Sequence, residues 1–332
     1  MITSLDDTPL MEPMLPTYTD IVSAASRLDG VARKTPVLAD TPLDERLGMK
    51  IFLKCENLQH ISAFKFRGAW NTMSRLTPEQ RSRGVITHSS GNHAQAVALA
   101  GKYLGIDTTV VMPNDAPQIK REGTERYASR VIAYDPTKHK REALTNDVIR
   151  ETGCILVPPF DHPHIIAGQG TAAMELINSC GPLKTLLVPC GGGGLLSGSA
   201  LSARTLSPSC SIIGVEPEAA DDAVRSFRSG RIERVQNPQT IADGTRTESL
   251  GKMTFAVIRK TVDDIVSVPE EAIIEATRLL FEAARVVVEP SGALGLAALL
   301  SGAVSAQGHV GLILSGGNID APVMARILHP GH

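Results

Sequence analysis

The sequence predicts an α/β protein in which mostly parallel sheets are flanked by helices and divided between two lobes. Short runs rich in β-branched and aliphatic residues alternate with helical patterns along most of the chain, which is typical of βαβ units. One strand-like run leads through four consecutive glycines into a helical pattern, an arrangement that favours anion binding at a helix N-terminus. At 332 residues the chain exceeds what one hydrophobic core usually serves, so two lobes are expected.

The elements can be assigned in order along the chain from hydrophobic periodicity. The predicted helices are 18–28, 66–76, 92–104, 139–152, 195–201 and 270–285. The predicted strands are a short one after Pro36, then 51–54, 84–88, 108–112, 131–134, 155–157, 185–189, 211–215 and 310–314. The acidic, proline-containing start at 1–16 is predicted to be an N-terminal tail. We expect a large lobe formed by 17–80 and 162–332, and a small lobe at 81–161.

Composition and charge exclude several classes of function. The formal net charge is −2 and no long run of like charges occurs, which argues against nucleic-acid and membrane-surface binding. The odd number of cysteines, without C-x-x-C spacing, predicts reduced thiols rather than disulfides or a zinc site: Cys55, Cys154, Cys180, Cys190 and Cys210. No leader and no apolar run long enough to span a bilayer is seen, so a cytoplasmic protein is expected.

The four glycines, Gly191–Gly194, follow the strand-like run Thr185–Pro189 and precede a helix. Backbone N–H groups at such a junction favour a phosphate, because glycine lets the anion approach and the helix dipole attracts negative charge. No Walker lysine follows, and the dinucleotide pattern G-x-G-x-x-G fails at Leu196 or Ser197. Glu216 nevertheless lies where a ribose-binding acid is expected, so a dinucleotide site remains an alternative. A merely flexible turn would be conformationally expensive.

Three further loops follow strands or carry reactive side chains. Ser89–His93 offers hydroxyls, an amide and helix N–H groups for a carboxylate, although a helix cap explains it equally well. Ser315–Asn318 is either a plain turn or the edge of a site. In Ile61–Gly68 a lysine, Lys65, lies between two phenylalanines; apolar surroundings make a lysine easier to deprotonate, which suits Schiff-base chemistry. The alternative is a lysine whose stem covers apolar surface.

The joint set of motifs is far more specific than any one of them: Glu56–Ala69, Ser89–His93, Ala167–Thr171, Gly191–Gly194, Ile241–Gly244, Glu289–Pro290 and Ser315–Asn318. From about Pro16 to its end the chain resembles the serine/threonine dehydratase and serine racemase family of pyridoxal-phosphate enzymes. That family, which includes threo-3-hydroxyaspartate ammonia-lyases, has fold type II, the tryptophan synthase β-like fold. Ala63 departs from the family's commoner serine. Because the chain ends soon after Asn318, we expect the short form without a regulatory domain.

The resemblance implies the roles of the residues around the cofactor. Lys65 would carry pyridoxal phosphate, with Phe64 near its ring. The phosphate would be bound by Gly191, Gly192, Gly193, Gly194 and Leu195. Asn92, with Glu289 close by, would bond the ring hydroxyl, and Ser315 would face the ring nitrogen. Substrate carboxylate would be held by Ser89, Ser90, Asn92 and His93. Lys65 would take the α-proton, and Ser90 would serve as the acid/base on the opposite face.

An acidic loop, from Glu216 to Asp222, has two interpretations. Local chemistry predicts a solvated loop in which Asp221 or Asp222 caps a helix. The resemblance to metal-activated serine racemases implies instead that Glu216, the Ala220 carbonyl and Asp222 bind Mg²⁺ or Ca²⁺, both of which prefer oxygen ligands.

Arg141 also has two interpretations. It could be one charge on an exposed helix face. By resemblance, it would lie over the substrate side chain and form a bidentate pair with a second carboxylate, which would indicate 3-hydroxyaspartate rather than serine or threonine.

These observations predict a cytoplasmic, homodimeric ammonia-lyase that converts a β-hydroxy L-amino acid into a 2-oxo acid and ammonium. A serine racemase with side elimination activity is the alternative within the family. From other classes, a nicotinamide-dependent oxidoreductase and a non-catalytic small-molecule binding protein remain alternatives.

Overall fold

The computed structural model describes residues 14–329, so most of the predicted tail at 1–16 lies outside the described residues. Within that range the strands are β1 (Val37–Leu38), β2 (Lys50–Cys55), β3 (Val85–His88), β4 (Thr108–Pro113), β5 (Arg130–Tyr134), β6 (Ile155–Leu156), β7 (Thr185–Pro189), β8 (Ser211–Pro217), β9 (Asp264–Val268) and β10 (His309–Leu314).

The helices in the same range surround these strands. They are α1 (Tyr18–Leu28), α2 (Pro42–Leu47), α3 (Lys65–Met73), α4 (Pro78–Ser82), α5 (Asn92–Leu104), α6 (Gln118–Glu125), α7 (Arg141–Thr152), α8 (Pro163–Cys180), α9 (Gly194–Leu206), α10 (Asp222–Ser229), α11 (Lys252–Thr261), α12 (Glu270–Glu282), α13 (Pro290–Leu300) and α14 (Ala321–Leu328). Across residues 14–329, no helix has both the length and the apolar character needed to cross a membrane.

The strands form two sheets. The larger has the order β1-β2-β10-β7-β8-β9 and is parallel except for β1, which runs antiparallel to β2. The smaller, with the order β5-β4-β3-β6, is entirely parallel and is built from residues 85–156. The predicted α/β class with two mostly parallel sheets is therefore confirmed, whereas the predicted lobe boundaries stay predictions.

The larger sheet is buried on both faces because its central strands carry apolar side chains without interruption. In β7, Leu187 belongs to the apolar cluster under α12 and α13, while Leu186 and Val188 belong to the cluster on the opposite face. Successive side chains on a strand point to opposite faces, so a continuous apolar run supplies both cores at once. This is the pattern expected of a parallel sheet that is covered by helices on both sides.

The segment Ala167–Thr171 lies inside the long helix α8 and not in a loop. Its glycines serve close helix packing: a Cβ on Gly168 would lie 2.6 Å from the Arg67 carbonyl oxygen, and one on Gly170 would lie 2.7 Å from the Gly198 carbonyl oxygen. The sequence pattern predicts no helix here because glycine ordinarily weakens helices. Contact with α3 and α9 overrides that preference.

Several other helices and one strand were not predicted from the sequence pattern. Short helices that begin at or next to proline, such as α2 and α4, are too brief to show periodicity. Helix α13 is buried over almost its whole surface and therefore lacks a polar face. The predicted helix at 270–285 ends at Glu282, and Arg285 adopts a positive φ of 57°. The other unpredicted elements are α6, α10, α11, α14 and β9.

Candidate active site

A cavity of about 360 Å³ lies where the loops after β3, β7 and β10 meet the start of α3. This is the carboxyl edge of parallel strands, the usual place for ligands in open sheets. The predicted cofactor and substrate residues all line it: Phe64, Lys65, Ser89, Ser90, Asn92, His93, Arg141, Gly191, Gly192, Gly193, Gly194, Leu195, Glu289 and Ser315. The predicted metal ligands, Glu216, Ala220 and Asp222, do not line it. The individual roles stay predictions.

Lys65 is the first residue of α3, and its side chain reaches the cavity. Its ammonium donates a 2.8 Å hydrogen bond to the Pro159 carbonyl oxygen and lies 5.1 Å from the centre of the Phe64 ring. Desolvation lowers the pKa of Lys65 to about 8, because burial disfavours the charged form. Just before it, Ile61 and Ser62 have φ angles of 55° and 53°. Such strained conformations cluster at functional sites.

Ser315 lies beside this segment at the end of β10. Its carbonyl oxygen accepts a 3.0 Å hydrogen bond from the Phe64 N–H, and an isolated bridge joins Ala63 to Gly316. The loop after β10 therefore fixes the chain immediately before Lys65. The Ser315 residue is buried and lines the cavity.

The tetraglycine loop joins β7 to α9 with Gly193, at φ 88°, as the N-cap. Glycine is needed sterically as well: a Cβ on Gly192 would lie 2.3 Å from the Phe160 ring, and one on Gly194 would lie 3.1 Å from the Phe160 Cβ. The first N–H groups of a helix lack acceptors within it, and Gly193 has no side chain to cap them. The loop, with Leu195 after it, thus forms a cradle of bare backbone at the cavity, of a kind suited to an anion, and Phe160 leaves no room for side chains at Gly192 and Gly194.

The N-terminus of α5 supplies a second set of donors to the cavity. Its N-cap is Gly91, which makes no side-chain cap, so the interpretation of Ser89–His93 as a plain helix cap is not what the structure shows. Ser89 Oγ accepts a 3.1 Å bond from the Gly91 N–H, and Ser90 is exposed. His93 is buried, with Nε2 3.0 Å from the Val157 carbonyl oxygen. Desolvation, with Lys65, lowers its pKa to about 3, so the ring is neutral.

A network of buried polar groups lies on the side of the cavity next to Asn92. Asn92 Nδ2 donates to Glu289 Oε1 at 2.5 Å, and Asn92 Oδ1 accepts from Asn318 Nδ2 at 2.9 Å. The ammonium of Lys120 lies 2.9 Å from Glu289 Oε2 and donates to both carboxylate oxygens of Asp243, at 2.8 and 2.6 Å. Neither Lys120 nor Asp243 is among the site residues predicted from sequence. Lys120 pairs with a residue 123 positions away, so no local pattern marks it.

Arg141 begins α7 and lines the cavity with a side chain that is 42% exposed. Its Nε donates to Glu142 Oε1 at 2.7 Å. His88, at the end of β3, also lines the cavity, and desolvation together with the Arg141 charge lowers its pKa. Arg141 is therefore neither a simple surface charge nor a buried one. Its predicted pairing with a substrate carboxylate stays a prediction.

The predicted metal ligands lie in a separate buried place at the end of β8. Glu216 and Asp222 have no exposed surface, and three of their carboxylate oxygens have no hydrogen-bond partner among residues 14–329. The fourth, Glu216 Oε2, accepts a 2.9 Å bond from the Val224 N–H. Desolvation, and for Glu216 also Asp222, raises the pKa of both groups, that of Asp222 to about 7. The interpretation as a solvated loop is therefore wrong for Glu216 and Asp222, whereas Glu218 is exposed and Asp221 occupies the N-cap position of α10 without a side-chain cap bond.

Glu216 is not positioned to contact a ligand bound at the tetraglycine loop. The ribose-binding acid of a dinucleotide site has to reach the ligand held by the glycine loop, yet Glu216 does not line the cavity. Within the described part of the chain, no cluster of three or more His, Cys, Asp and Glu side chains is arranged to hold a metal ion. A metal at Glu216 and Asp222 would thus need further oxygen ligands, such as the Ala220 carbonyl and water.

Comparisons with known proteins agree with this geometry. Residues 28–316 match the family model described as pyridoxal-phosphate dependent enzyme. The chain is 50% identical over 316 residues to the L-threo-3-hydroxyaspartate ammonia-lyase of Saccharomyces cerevisiae, covering 95% of this chain and 97% of that protein. It is 47% identical to the serine racemase of Schizosaccharomyces pombe, covering 95% and 98%. The structure of maize serine racemase is similar, with a TM-score of 0.90, 40% identity and coverage of 96% and 98%.

Proposed function

We propose, from the premise that this chain belongs to the family of pyridoxal-phosphate dependent enzymes, that it is an ammonia-lyase for β-hydroxy L-amino acids. Its foremost substrate is L-threo-3-hydroxyaspartate, the compound after which a relative with 50% identity is named. One observation carries the proposal: Lys65, with its lowered pKa, lines the same cavity as the glycine anion cradle. The net reaction converts the amino acid into a 2-oxo acid and ammonium.

The cavity fits the cofactor at three points. The cradle of Gly191–Gly194 would hold the phosphate, since it lines the cavity and leads into the uncapped N-terminus of α9. Lys65 would bind the aldehyde carbon. Asn92 has its oxygen committed to Asn318 and one N–H committed to Glu289, so its remaining N–H can donate to the ring hydroxyl oxygen.

The cofactor, when bound, supplies an electron sink for the substrate α-carbon, which allows the β-hydroxyl to leave. The protein has to bring a base to the α-proton, and Lys65 is suited to this task. With a pKa of about 8, a substantial fraction of this amine is neutral near physiological pH, whereas an ordinary lysine is almost fully protonated. The Pro159 carbonyl, which accepts from the Lys65 ammonium at 2.8 Å, orients the amine.

The substrate carboxylate would be held at the N-terminus of α5. Its N–H groups, the hydroxyls of Ser89 and Ser90, and the helix dipole all favour a negative charge there. At the end of β10, Ser315 would place a hydroxyl at the ring nitrogen. A hydroxyl stabilises a positive charge less than a carboxylate does, so this residue would leave the ring nitrogen largely unprotonated and would favour elimination over transamination.

Serine racemisation is the second candidate function, and Ser90 is the observation that favours it. Its side chain is exposed and lines the cavity at the start of α5, which suits an acid/base for a second ring face. Ser90→Ala should suppress formation of D-serine while elimination from the L-substrate continues through Lys65. Equal loss of both activities would make Ser90 a binding residue only.

The activity itself is tested with the purified chain and pyridoxal phosphate. Release of 2-oxo acid and ammonium is measured with L-threo-3-hydroxyaspartate, L-serine and L-threonine, and D-serine formation is followed in parallel. We expect the largest kcat/KM with 3-hydroxyaspartate. Faster D-serine formation than elimination from every substrate would make the chain a racemase. Absence of turnover with all three would overturn both candidates.

The same chain, we infer, binds a divalent cation, Mg²⁺ or Ca²⁺, through Glu216, Asp222 and the Ala220 carbonyl. Two buried carboxylates with three unpartnered oxygens in the described range are supporting evidence, because buried charges are ordinarily paired or bound to metals. Isothermal titration with MgCl₂ after chelation tests this directly. A homodimer and a cytoplasmic location, both expected from the sequence, stay predictions; size-exclusion chromatography with light scattering addresses the first.

A further inference from the structure

Lys120 is a buried ammonium that joins the two halves of the cavity. It lies on α6, beside the smaller sheet, and is 1% exposed. Its two carboxylate partners belong to elements next to the larger sheet: Asp243 in the short turn Asp243–Thr245, and Glu289 at the N-cap of α13. The contacts to them measure 2.6 to 2.9 Å. One side chain thus fixes α6 to two separate segments across the cavity.

The contacts continue from Glu289 to the strained turn before Lys65. Glu289 accepts from Asn92, and Asn92 accepts from Asn318. Asn318 Nδ2 in turn donates to the Ile61 carbonyl oxygen at 2.7 Å, and Ile61 has a φ of 55°. The three side chains in this series are at most 9% exposed. A displacement of Glu289 therefore reaches both the amide of Asn92 and the segment that carries Lys65.

We propose that Lys120 is a positioning residue: through Glu289 it fixes the amide of Asn92 at the cavity, and through Asp243 it holds α6 against the opposite wall. The inference rests on the proposed function of the cavity as the active site. Lys120 does not touch the reacting atoms in this view. It determines the direction in which Asn92 presents its free N–H.

The charges around Glu289 explain why an ammonium is required. Lys120 faces Glu289 from α6 and Asp243 faces it from the turn before Arg246. Desolvation raises the pKa of Glu289, and Lys120 opposes that rise. Burial alone would lower the pKa of Lys120. The negative charges of Glu289 and Asp243 outweigh that effect, so the pKa of Lys120 is raised. Without Lys120, two carboxylates would face each other unpaired. Protonation of Glu289 would then weaken the hydrogen bond that it accepts from Asn92 Nδ2, because a neutral carboxyl is a poorer acceptor than a carboxylate.

The test compares Lys120→Met with Arg121→Met, a control on the same helix whose guanidinium donates to the carbonyls of Asn114 and Ala116 and not to a carboxylate. Lys120→Met should lower kcat/KM about a hundred-fold at neutral pH, the loss typical of a misplaced reactive group. The acid limb of its pH profile should move upward by about one to three pH units. Lys120→Arg should recover part of the activity, and Arg121→Met should resemble wild type.

Thermal unfolding of the full-length chain provides a readout that is independent of turnover. A carboxyl whose folded pKa is raised stabilises the fold below its unfolded pKa, and that stability is lost as pH rises through the folded pKa. Lys120→Met should therefore show a larger fall in Tm with rising pH than wild type does. The double variant Lys120→Met/Glu289→Gln should lose this added pH dependence, because the glutamine at position 289 has no carboxyl group to titrate.

The outcomes separate the possibilities. A lower Tm for Lys120→Met without a shifted acid limb would make Lys120 a stabilising residue only, and overturn the proposal. If Lys120→Met does not fold, the double variant should recover folding, and its failure would also overturn the proposal. If wild type turns over no β-hydroxy amino acid, the proposed function fails, yet the pH dependence of Tm still decides whether Lys120 controls Glu289.

Discussion

Two groups of buried charges in this protein differ in how far the fold itself satisfies them. The first lies behind Lys65 and is centred on Arg67, which is fully buried. Its guanidinium donates twice to Glu56, at 2.7 and 2.8 Å, and twice to Glu175, at 2.6 and 2.8 Å. Lys54, also buried, pairs with Glu175 at 2.6 Å and donates to the Thr35 carbonyl at 2.7 Å.

The second group consists of Glu216 and Asp222, which are equally buried but form no ion pair with any residue that the structure describes. Desolvation raises the pKa of Glu216 and Asp222, whereas the pKa of Glu56 is lowered, because Arg67 and Lys54 outweigh its desolvation. Burying a charge is costly unless it is paired. The paired group therefore fixes the position of α3 with its own partners, whereas the unpaired group is the place where we propose a bound cation.

The largest expected effect concerns Lys65, a desolvated amine whose hydrogen bond goes to a carbonyl and not to a carboxylate. Lys65→Ala should lower kcat by about 10⁴-fold or more, since both cofactor attachment and proton transfer depend on this amine. Lys184→Ala, which removes an exposed lysine, is the matched control and should retain full activity. Borohydride reduction of the cofactor-loaded enzyme followed by peptide mass spectrometry should label Lys65. A label on any other lysine would falsify the assignment.

The next effect tests the paired group. Arg67→Met should reduce the free energy of unfolding by about 3–5 kcal/mol, because it removes the cation that donates both charged hydrogen bonds to buried Glu56. Adding Glu56→Gln to that variant should restore much of the loss, as measured by denaturant unfolding, because Glu175 still pairs with Lys54 at 2.6 Å. If the double variant Arg67→Met/Glu56→Gln is no more stable than Arg67→Met alone, packing of the guanidinium and not charge pairing is what matters at this site.

The same contrast separates what the sequence predicts of this site from what it does not. Lys65 and the glycine loop are local features, so the sequence alone proposes a lysine amine and an anion-binding loop as candidates. The family resemblance is what favours a cofactor lysine over a surface lysine, and a cofactor phosphate over a dinucleotide. Glu216 and Asp222 are singled out only through the family resemblance, because their local pattern also fits a solvated loop.

The partners of buried charges could not be predicted, because pairing is a tertiary property. Lys54 and Glu175, 121 positions apart, and Lys120 and Asp243, 123 positions apart, carry no sequence pattern that links them. Helix α8 was not predicted from the sequence for a related reason. Its glycines match the backbone of α3 and α9, and that complementarity is visible only once the helices are packed.

Arg141 belongs to neither group of buried charges. Its side chain is half exposed, and its carboxylate partner, Glu142, is exposed as well. If it pairs with a substrate β-carboxylate, Arg141→Ala should lower kcat/KM for 3-hydroxyaspartate by roughly ten- to a hundred-fold. Turnover of serine and threonine should change little, because neither has a β-carboxylate. Lys140→Ala, the adjacent exposed charge, is the control and should affect all substrates slightly and alike. A uniform loss for Arg141→Ala would assign it to folding instead.

The smallest expected effect bears on the unpaired group directly. If Mg²⁺ or Ca²⁺ bridges Glu216 and Asp222, saturating metal should raise Tm by several degrees, because a ligand that binds only the folded state at about a hundred times its Kd adds about 2.7 kcal/mol. Asp222→Asn should abolish this response. In the presence of a chelator the same variant should be more stable than wild type, since it removes one of two buried like charges.

That reversal of sign separates a ligand site from an ordinary buried pair. We expect Arg67→Met to be less stable than wild type both with and without metal. By contrast, Asp222→Asn should be more stable than metal-free wild type and less stable than metal-loaded wild type. Asp221→Asn, a partly exposed neighbour that pairs with Arg225 at 2.9 Å, is the matched control and should leave the metal response intact. If chelated and metal-loaded wild type have the same Tm, Glu216 and Asp222 bind no cation that stabilises the fold. The contrast between the groups would then reflect protonation of Glu216 and Asp222 and not a missing ligand.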